Sequence, residues 1–201
     1  MDRREILKMI AMLTGVAVVG GEVFLSGCKN APTGYAANWS ETEIGLLDEV
    51  GETILPATAS SPGAKAAGIG RFMNLMVNDC YESYHQKAFI EGIKQLDEDC
   101  KKKSGKPFLT CSADERHNFL LTLEKEAKEY DHEREAKEKA AKEKNRNSEG
   151  LPFHYFTYIK QLTLFGFFTS KIGYTEALRY EAVPGRYDGD VPYIKGEKAW
   201  A

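Results

Sequence analysis

Apolar positions recur with helical spacing from about residue 40 onward. Ser40 and Glu43 form a capping box that predicts the start of a first helix, and Pro56 ends it. An apolar residue before the cap, Trp39, is placed to pack on the first turn. The inward stripe of this helix would contain Ile44, Leu47 and Ile54.

Three more helices are predicted between residues 64 and 123. The second covers Ala64 to Cys80, and the third runs from about Tyr84 to Lys103 before Gly105 and Pro107. Ser112 and Glu115 form another capping box, which begins a long helix. The predicted inward positions are Phe72, Leu75, Met76 and Cys80 in the second helix, Phe89, Ile93, Leu96 and Cys100 in the third, and Phe119, Leu120 and Leu123 in the long one.

The segment 124–149 is highly charged. Of its 26 residues 17 are charged, nine acidic and eight basic, and many pairs lie in the favourable i, i+4 order. Because it contains almost no apolar residue, it has little to bury. We expect a solvated helical projection inserted into the domain, and the mixed signs argue against a binding patch.

An aromatic run follows at residues 153–168 and spans about four helical turns. One interpretation is a core helix. The other is that part of the run meets a partner, because its aromatic side chains cover more than one helical face. The tail at residues 183–190 has the composition of turns and adds a second candidate surface. The interface candidates are Phe165, Phe167, Phe168 and Tyr187.

No alternating strand pattern and no internal repeat is found, so the predicted fold is all-α, a single irregular helical domain over residues 39–201. Ser170 is expected to begin a short final helix. Residues 28–38, with Pro32, Gly34 and several alanines, resemble a tether in front of this domain.

The first 28 residues have the composition of an export signal. A charged start precedes an apolar stretch, Met9 to Gly21, which is too short to span a bilayer and ends before Glu22. Arg3 and Arg4 resemble the twin-arginine export motif. The final four residues resemble a lipoprotein cleavage box, so residues 1–27 would be removed and Cys28 acylated. That box consists of Leu25, Ser26, Gly27 and Cys28.

The net charge and the number of cysteines limit the functions and the disulfides that are possible for this chain. A formal charge of −3 and a pI near 5.9 argue against a nucleic-acid surface. Beyond Cys28 the chain has three cysteines, so at most one internal disulfide can form and one thiol is left over. The three are Cys80, Cys100 and Cys111, and the sequence leaves their pairing open.

Motifs for catalysis or cofactor binding are missing from the sequence. Gly68 and Gly70 begin a dinucleotide-like pattern, but Met73 breaks it and no strand precedes it. The four histidines are scattered, and His154, among the aromatic residues, is better explained as a hydrogen-bonded structural group than as a ligand or acid–base group. We therefore predict no catalytic, cofactor-binding or metal-binding residue in this chain.

Four sequence segments together resemble the gluconate 2-dehydrogenase subunit 3 family. They are Leu46 to Pro56, Pro62 to Ile69, Leu162 to Gly173 and Pro184 to Tyr187, and the resemblance extends from about Glu43 to Gly189. It implies a small accessory subunit without a cofactor of its own. The implied partners are a large subunit of the glucose–methanol–choline type that carries FAD, and commonly a cytochrome c that carries haem.

The resemblance also implies that the small subunit carries the export signal for the folded pair. The chain departs from the family in its lipoprotein cleavage box, which indicates that it also supplies the membrane anchor, and in the charged segment 124–149, which resembles an insertion. We therefore expect a non-catalytic subunit of a sugar, sugar-acid or polyol dehydrogenase, lipid-anchored in the bacterial envelope and facing the periplasm. It would assist assembly, co-export and anchoring of the large subunit. The alternative is a stand-alone envelope lipoprotein that acts as a scaffold or binds a small ligand.

Overall fold

A computed structural model describes residues 39–146, 148, 150–183, 185 and 187–200. The predicted export and lipidation residues, Arg3, Arg4, Leu25, Ser26, Gly27 and Cys28, lie outside these residues. Within the described part the fold is all-α, which confirms the predicted class. Its helices are α1 (Glu41–Ile54), α2 (Ile69–Cys80), α3 (Ser83–Ser104), α4 (Ala113–Lys144) and α5 (Tyr155–Thr169), with 3-10 turns at Ala64–Ala67 and Phe108–Thr110 and a π-helical turn at Gly173–Ala177.

Both predicted capping boxes are present. The Ser40 hydroxyl accepts from the Glu43 amide at 3.2 Å, and the Glu43 carboxylate accepts from the Ser40 amide at 2.8 Å. Ser112 and Glu115 repeat this exchange at 3.4 and 2.7 Å. Each box satisfies two amides that the first helical turn would leave unpaired, so the sequence places the starts of α1 and α4 correctly.

The predicted second helix differs from the structure. Gly68 has a φ of 66°, a left-handed conformation that ends the 3-10 turn and starts α2 in a new direction. Ile69, Met73 and Val77 are buried, whereas Leu75 is 59% exposed. Cys80 is also exposed, and Phe72 and Met76 are half-buried. The predicted buried stripe was therefore wrong for Leu75 and Cys80, whereas Phe72 and Met76 pack against the edge of the core.

Close backbone packing against α1 fixes this new face of α2. The Gly70 amide donates to the Asp48 carboxylate at 2.7 Å. A β-carbon on Gly70 would lie 2.3 Å from the Ile44 carbonyl oxygen, so glycine is required at this contact. Gly70 faces α1. Met73 and Val77 follow Gly70 at helical spacing, so they face the core.

The aromatic helix α5 lies at the centre of the fold and contacts α1, α2, α3 and α4. Gly166 allows α2 to approach, since a β-carbon there would lie 2.4 Å from the Phe72 ring. Thr163 is fully buried, and its hydroxyl donates to the Ile159 carbonyl at 2.8 Å. The core interpretation is therefore right for most of this helix. Its buried residues are Phe156, Tyr158, Ile159, Leu162, Thr163, Gly166 and Phe167.

The charged segment is helical to Lys144, but its first half is packed on the body of the protein. The Asp131 carboxylate accepts from the His154 amide at 2.8 Å and from the Thr157 hydroxyl at 2.6 Å. Lys160 of α5 pairs with Glu124 at 2.6 Å. The expectation of a solvated projection is therefore wrong for this half of the segment.

Arg134 explains how so charged a stretch can be packed. It is only 7% exposed, and its guanidinium stacks on the Phe153 ring and pairs with Glu138. The long apolar stem of arginine can cover an aromatic surface while its charge is neutralised nearby. The number of apolar residues alone therefore underestimates how much side-chain surface this segment buries.

Candidate partner-docking surface

One outer face of α2 and α5 exposes a group of large apolar side chains. Phe165 is 53% exposed and Leu75 is 59% exposed. The Phe165 ring lies 5.9 Å from the ring of the half-buried Phe72, so α2 and α5 are in contact at this face. We name this face the α2/α5 surface, and it comprises Phe72, Leu75, Leu164, Phe165 and Phe168.

Helical spacing determines which α5 residues reach this face. Leu164 and Phe168 lie one turn apart with Phe165 beside them, and all three are exposed. Phe167 points the other way and is fully buried, with its ring 5.2 Å from that of Phe168. Phe167 is therefore a core residue, and its place among the interface candidates is corrected. Phe165 and Phe168 remain available to a partner.

The C-terminal loop, of which the structure describes residues 180–183, 185 and 187–198, is a second exposed apolar element. Its ends meet where the Arg179 amide donates to the Ala199 carbonyl at 2.8 Å. Arg179 also pairs with Glu197 at 2.6 Å, and its guanidinium lies 4.5 Å from the Trp200 ring centroid. Between these ends Tyr187 is 96% exposed and Tyr193 is nearly as exposed. Aromatic side chains on a surface loop are typical of protein interfaces.

A groove of about 430 Å³ between α4 and α5 borders the α2/α5 surface at Leu164. Its charged groups are already engaged by the protein. Lys160 and Lys128 both pair with Glu124, at 2.6 and 3.0 Å, and Asp131 accepts from the start of α5. Since these pairs would have to break to receive a charged ligand, the groove offers weak support for a small-ligand site.

The two histidines near α5 have structural contacts. The His154 ring caps α5, where its Nδ1 accepts from the Phe156 amide at 3.3 Å. Burial lowers the pKa of His154, which keeps the ring neutral and able to accept. Burial likewise lowers the pKa of His85, whose Nδ1 contacts the Tyr158 hydroxyl. His154 therefore makes a hydrogen bond within the fold, which is the kind of contact that the structural interpretation predicts.

Tyr158 of α5 contacts both His85 and Phe153. Its hydroxyl accepts from the Phe153 amide at 2.9 Å, and its ring lies 5.7 Å from that of Phe153. Burial raises the pKa of Tyr158, so the phenol stays protonated and can donate to His85. Sequence reasoning did not find this contact, because residues 85 and 158 are far apart in the chain.

Among the residues that the structure describes, no cluster of three or more His, Cys, Asp or Glu side chains is arranged to hold a metal ion. No helix within this described part combines the length and apolarity that crossing a bilayer requires.

Comparison with known proteins shows a match to a protein family. The family model described as gluconate 2-dehydrogenase subunit 3 matches residues 41–185, which extend from the start of α1 into the C-terminal loop. No curated protein and no solved structure matches the chain significantly.

Proposed function

This chain belongs to the gluconate 2-dehydrogenase subunit 3 family, and we propose that it is the non-catalytic small subunit of a flavin-dependent sugar, sugar-acid or polyol dehydrogenase. Family membership makes it an accessory subunit of a dehydrogenase complex that associates with other dehydrogenase subunits. The proposal adds the chemistry and location of that complex. The large subunit is of the glucose–methanol–choline type and carries FAD, and a cytochrome c is a further partner.

The single observation that supports this role best is the exposed α2/α5 surface. Phe165 and Phe168 expose aromatic area on a helix whose other faces are packed in the core. Large exposed apolar patches are unfavourable in water and commonly mark the site at which a partner binds. The large subunit docks here and on the C-terminal loop, where Tyr187 supplies an aromatic anchor.

We assign the FAD and the haem to the partner subunits because of the binding motifs that this sequence lacks. Hydride transfer needs a cofactor, and a protein holds one through recognisable binding architecture. The sequence lacks a phosphate-binding loop and haem attachment motifs, and the charged groups of the α4/α5 groove are paired within the protein. The small subunit therefore contributes assembly, co-export and anchoring, and leaves the chemistry to the large subunit.

The location is proposed from the first 28 residues. The Arg3–Arg4 pair directs the folded complex through the twin-arginine route, and cleavage before Cys28 leaves an acylated N-terminus. Two or more acyl chains are enough to hold a protein stably on a membrane. The complex would then lie on the periplasmic side of the bacterial envelope.

A pull-down in mild detergent tests the proposed role. The full chain carries a C-terminal affinity tag, and the purified material is identified by mass spectrometry and by its flavin absorbance. We expect a large flavoprotein to co-purify, and its recovery to fall at least tenfold with Phe165→Ala or Tyr187→Ala. The matched control is Leu121→Ala, which removes another exposed leucine from α4. Near-stoichiometric flavin on this chain alone, or sugar-dependent dye reduction without a partner, would contradict the proposal.

A further inference from the structure

Cys100 and Cys111 lie side by side in the core. Their Sγ atoms are 3.7 Å apart, and both side chains are buried. Cys100 lies four residues before the end of α3, and Cys111 directly precedes Ser112, the N-cap of α4. The turn between the two helices therefore brings together two thiols that are eleven positions apart in sequence.

The segment that carries Cys111 is fixed on both sides. The Phe108 amide donates to the Asp97 carboxylate of α3 at 2.9 Å. Arg116 of α4 donates to the carbonyls of Phe108 and Leu109 at 3.1 and 2.7 Å. Its guanidinium also pairs with Glu49 of α1 at 2.7 Å. These contacts hold the two thiols together before any covalent bond is present.

We propose that Cys100 and Cys111 are a disulfide-forming pair that links the end of α3 to the start of α4. A disulfide bond is about 2.05 Å long, so the sulfur atoms must approach by less than 2 Å. Rotation of the two side chains about their Cα–Cβ bonds would have to supply this movement. The Cys100–Cys111 bond is one of the pairings that the sequence leaves open. Its formation leaves Cys80, which is exposed, as a free thiol.

The reaction needs a disulfide oxidant, for which glutathione disulfide is the test reagent. The Cys111 thiolate attacks one sulfur of the oxidant, the oxidant's S–S bond breaks, and one glutathione leaves as its thiol. The Cys100 thiol then loses its proton and its sulfur attacks Cys111 Sγ of the mixed disulfide, so that the Cys100–Cys111 bond forms, the bond to glutathione breaks, and the second glutathione takes up a proton and leaves as its thiol. Two protein thiols are oxidised and one glutathione disulfide is reduced to two thiols, so electrons and protons balance.

The order of attack follows from the surroundings of each thiol. Burial, together with the neighbouring Cys111 thiol, raises the pKa of Cys100 to about 11, so Cys100 is protonated at neutral pH. Cys111 is slightly exposed, whereas Cys100 is fully buried. The incoming oxidant therefore meets Cys111 first, and Cys100 acts as the resolving thiol.

Peptide mapping tests the proposal on the full chain. The reduced protein is equilibrated with glutathione buffers of increasing oxidising ratio, quenched with an alkylating reagent and digested with trypsin. Cleavage after Lys94, Lys101, Lys103 and Arg116 places the two cysteines in separate peptides, Gln95–Lys101 and Ser104–Arg116. We expect these peptides to be linked and to separate on reduction. We also expect the melting temperature to rise by roughly 5–10 °C on oxidation, because the link restricts the unfolded chain.

Two variants serve as controls. Cys80→Ser should keep the linked peptides and the rise in melting temperature, whereas Cys111→Ser should lose both. The mapping of the unmodified chain does not depend on how well either variant folds. If both peptides remain separately alkylated at every oxidising ratio, or if Cys80 is linked in place of either cysteine, the proposal is wrong.

Discussion

The guanidinium of Arg134 lies 3.9 Å from the centroid of the Phe153 ring. This contact joins the charged part of α4 to the segment that leads into α5. Arg134 is 7% exposed and also pairs with Glu138, so its charge is neutralised where it is buried. A cation over an aromatic ring stabilises a protein by about 2 kcal/mol when it is desolvated.

The first prediction is that Arg134→Ala destabilises the protein. The change removes the stacking on Phe153 and the burial of the arginine stem, so we expect the free energy of unfolding to fall by about 2–3 kcal/mol. Urea denaturation, monitored by circular dichroism, measures this free energy. The matched control is Lys137→Ala on the exposed side of α4, which should leave stability unchanged within error. Equal effects of the two variants would mean that this part of α4 is not docked.

The sequence predicts local features of this fold well. The capping boxes at Ser40 and Ser112 are encoded by residues three positions apart, and the buried stripe of α3 follows one uninterrupted helical period. The face of α2 was predicted only in part, because apolar residues lie on more than one side of this helix. The close approach of Gly70 to Ile44 decides which side meets the core, and that is a tertiary contact.

The candidate surface could be predicted only in part. An aromatic run that covers several helical faces has no polar side to show which face is exposed, so Phe165 and Phe167 look equivalent in sequence. The packing of α2 and α3 around α5 decides between them. Arg134 was missed for a similar reason, since Phe153, its aromatic partner, is 19 positions away in the chain. A run of charges gives no sign of such a distant contact.

The second prediction concerns the contact between α3 and α5. A β-carbon at Gly92 would lie 2.1 Å from the Tyr155 β-carbon, so Gly92→Ala must push the two helices apart. We expect a loss of about 1–3 kcal/mol in the free energy of unfolding. Gly45→Ala in α1 is the control, because no atom lies within 4 Å of its β-carbon position. That variant should instead gain about 0.5–1 kcal/mol from helix propensity.

The third prediction is a loss of stability in acid through His154. Burial lowers the pKa of His154 in the folded state below the value of about 6.5 in the unfolded state. The unfolded chain therefore binds more protons, so this contribution is complete above about pH 6.5 and is lost as the pH falls through the folded-state pKa. Protonation would also remove the acceptor that caps α5.

The variant His154→Asn tests this pH dependence. Asparagine is a good N-cap residue and does not titrate, so melting temperatures measured between pH 5 and 8 should vary less than in the unchanged protein. Part of the slope should remain, because burial lowers the pKa of His85 in the same direction. An unchanged pH profile would show that His154 does not contribute.

The fourth prediction concerns export. Changing Arg3 and Arg4 together to Lys should keep the precursor in the cytoplasm, because the twin-arginine route recognises the guanidinium pair. Cys28→Ala should abolish acylation and leave uncleaved precursor, while Cys80→Ser should be processed normally. Fractionation and labelling with a fatty-acid analogue measure both steps. If Cys28→Ala is still cleaved and labelled, the lipoprotein interpretation is wrong.

The last prediction separates the docking surface from the core by using two phenylalanines of α5. Phe167→Ala empties a fully buried site and should lower the free energy of unfolding by about 3–5 kcal/mol. Phe165→Ala removes a ring that is about half exposed and should lower the free energy of unfolding much less.

If the partner binds the α2/α5 surface, Phe165→Ala should weaken co-purification of the large subunit at least tenfold while the helical circular-dichroism signal is kept. Phe168→Ala and Tyr187→Ala should act in the same way, because their side chains are also exposed. Tight binding by all three variants would place the interface elsewhere on the protein.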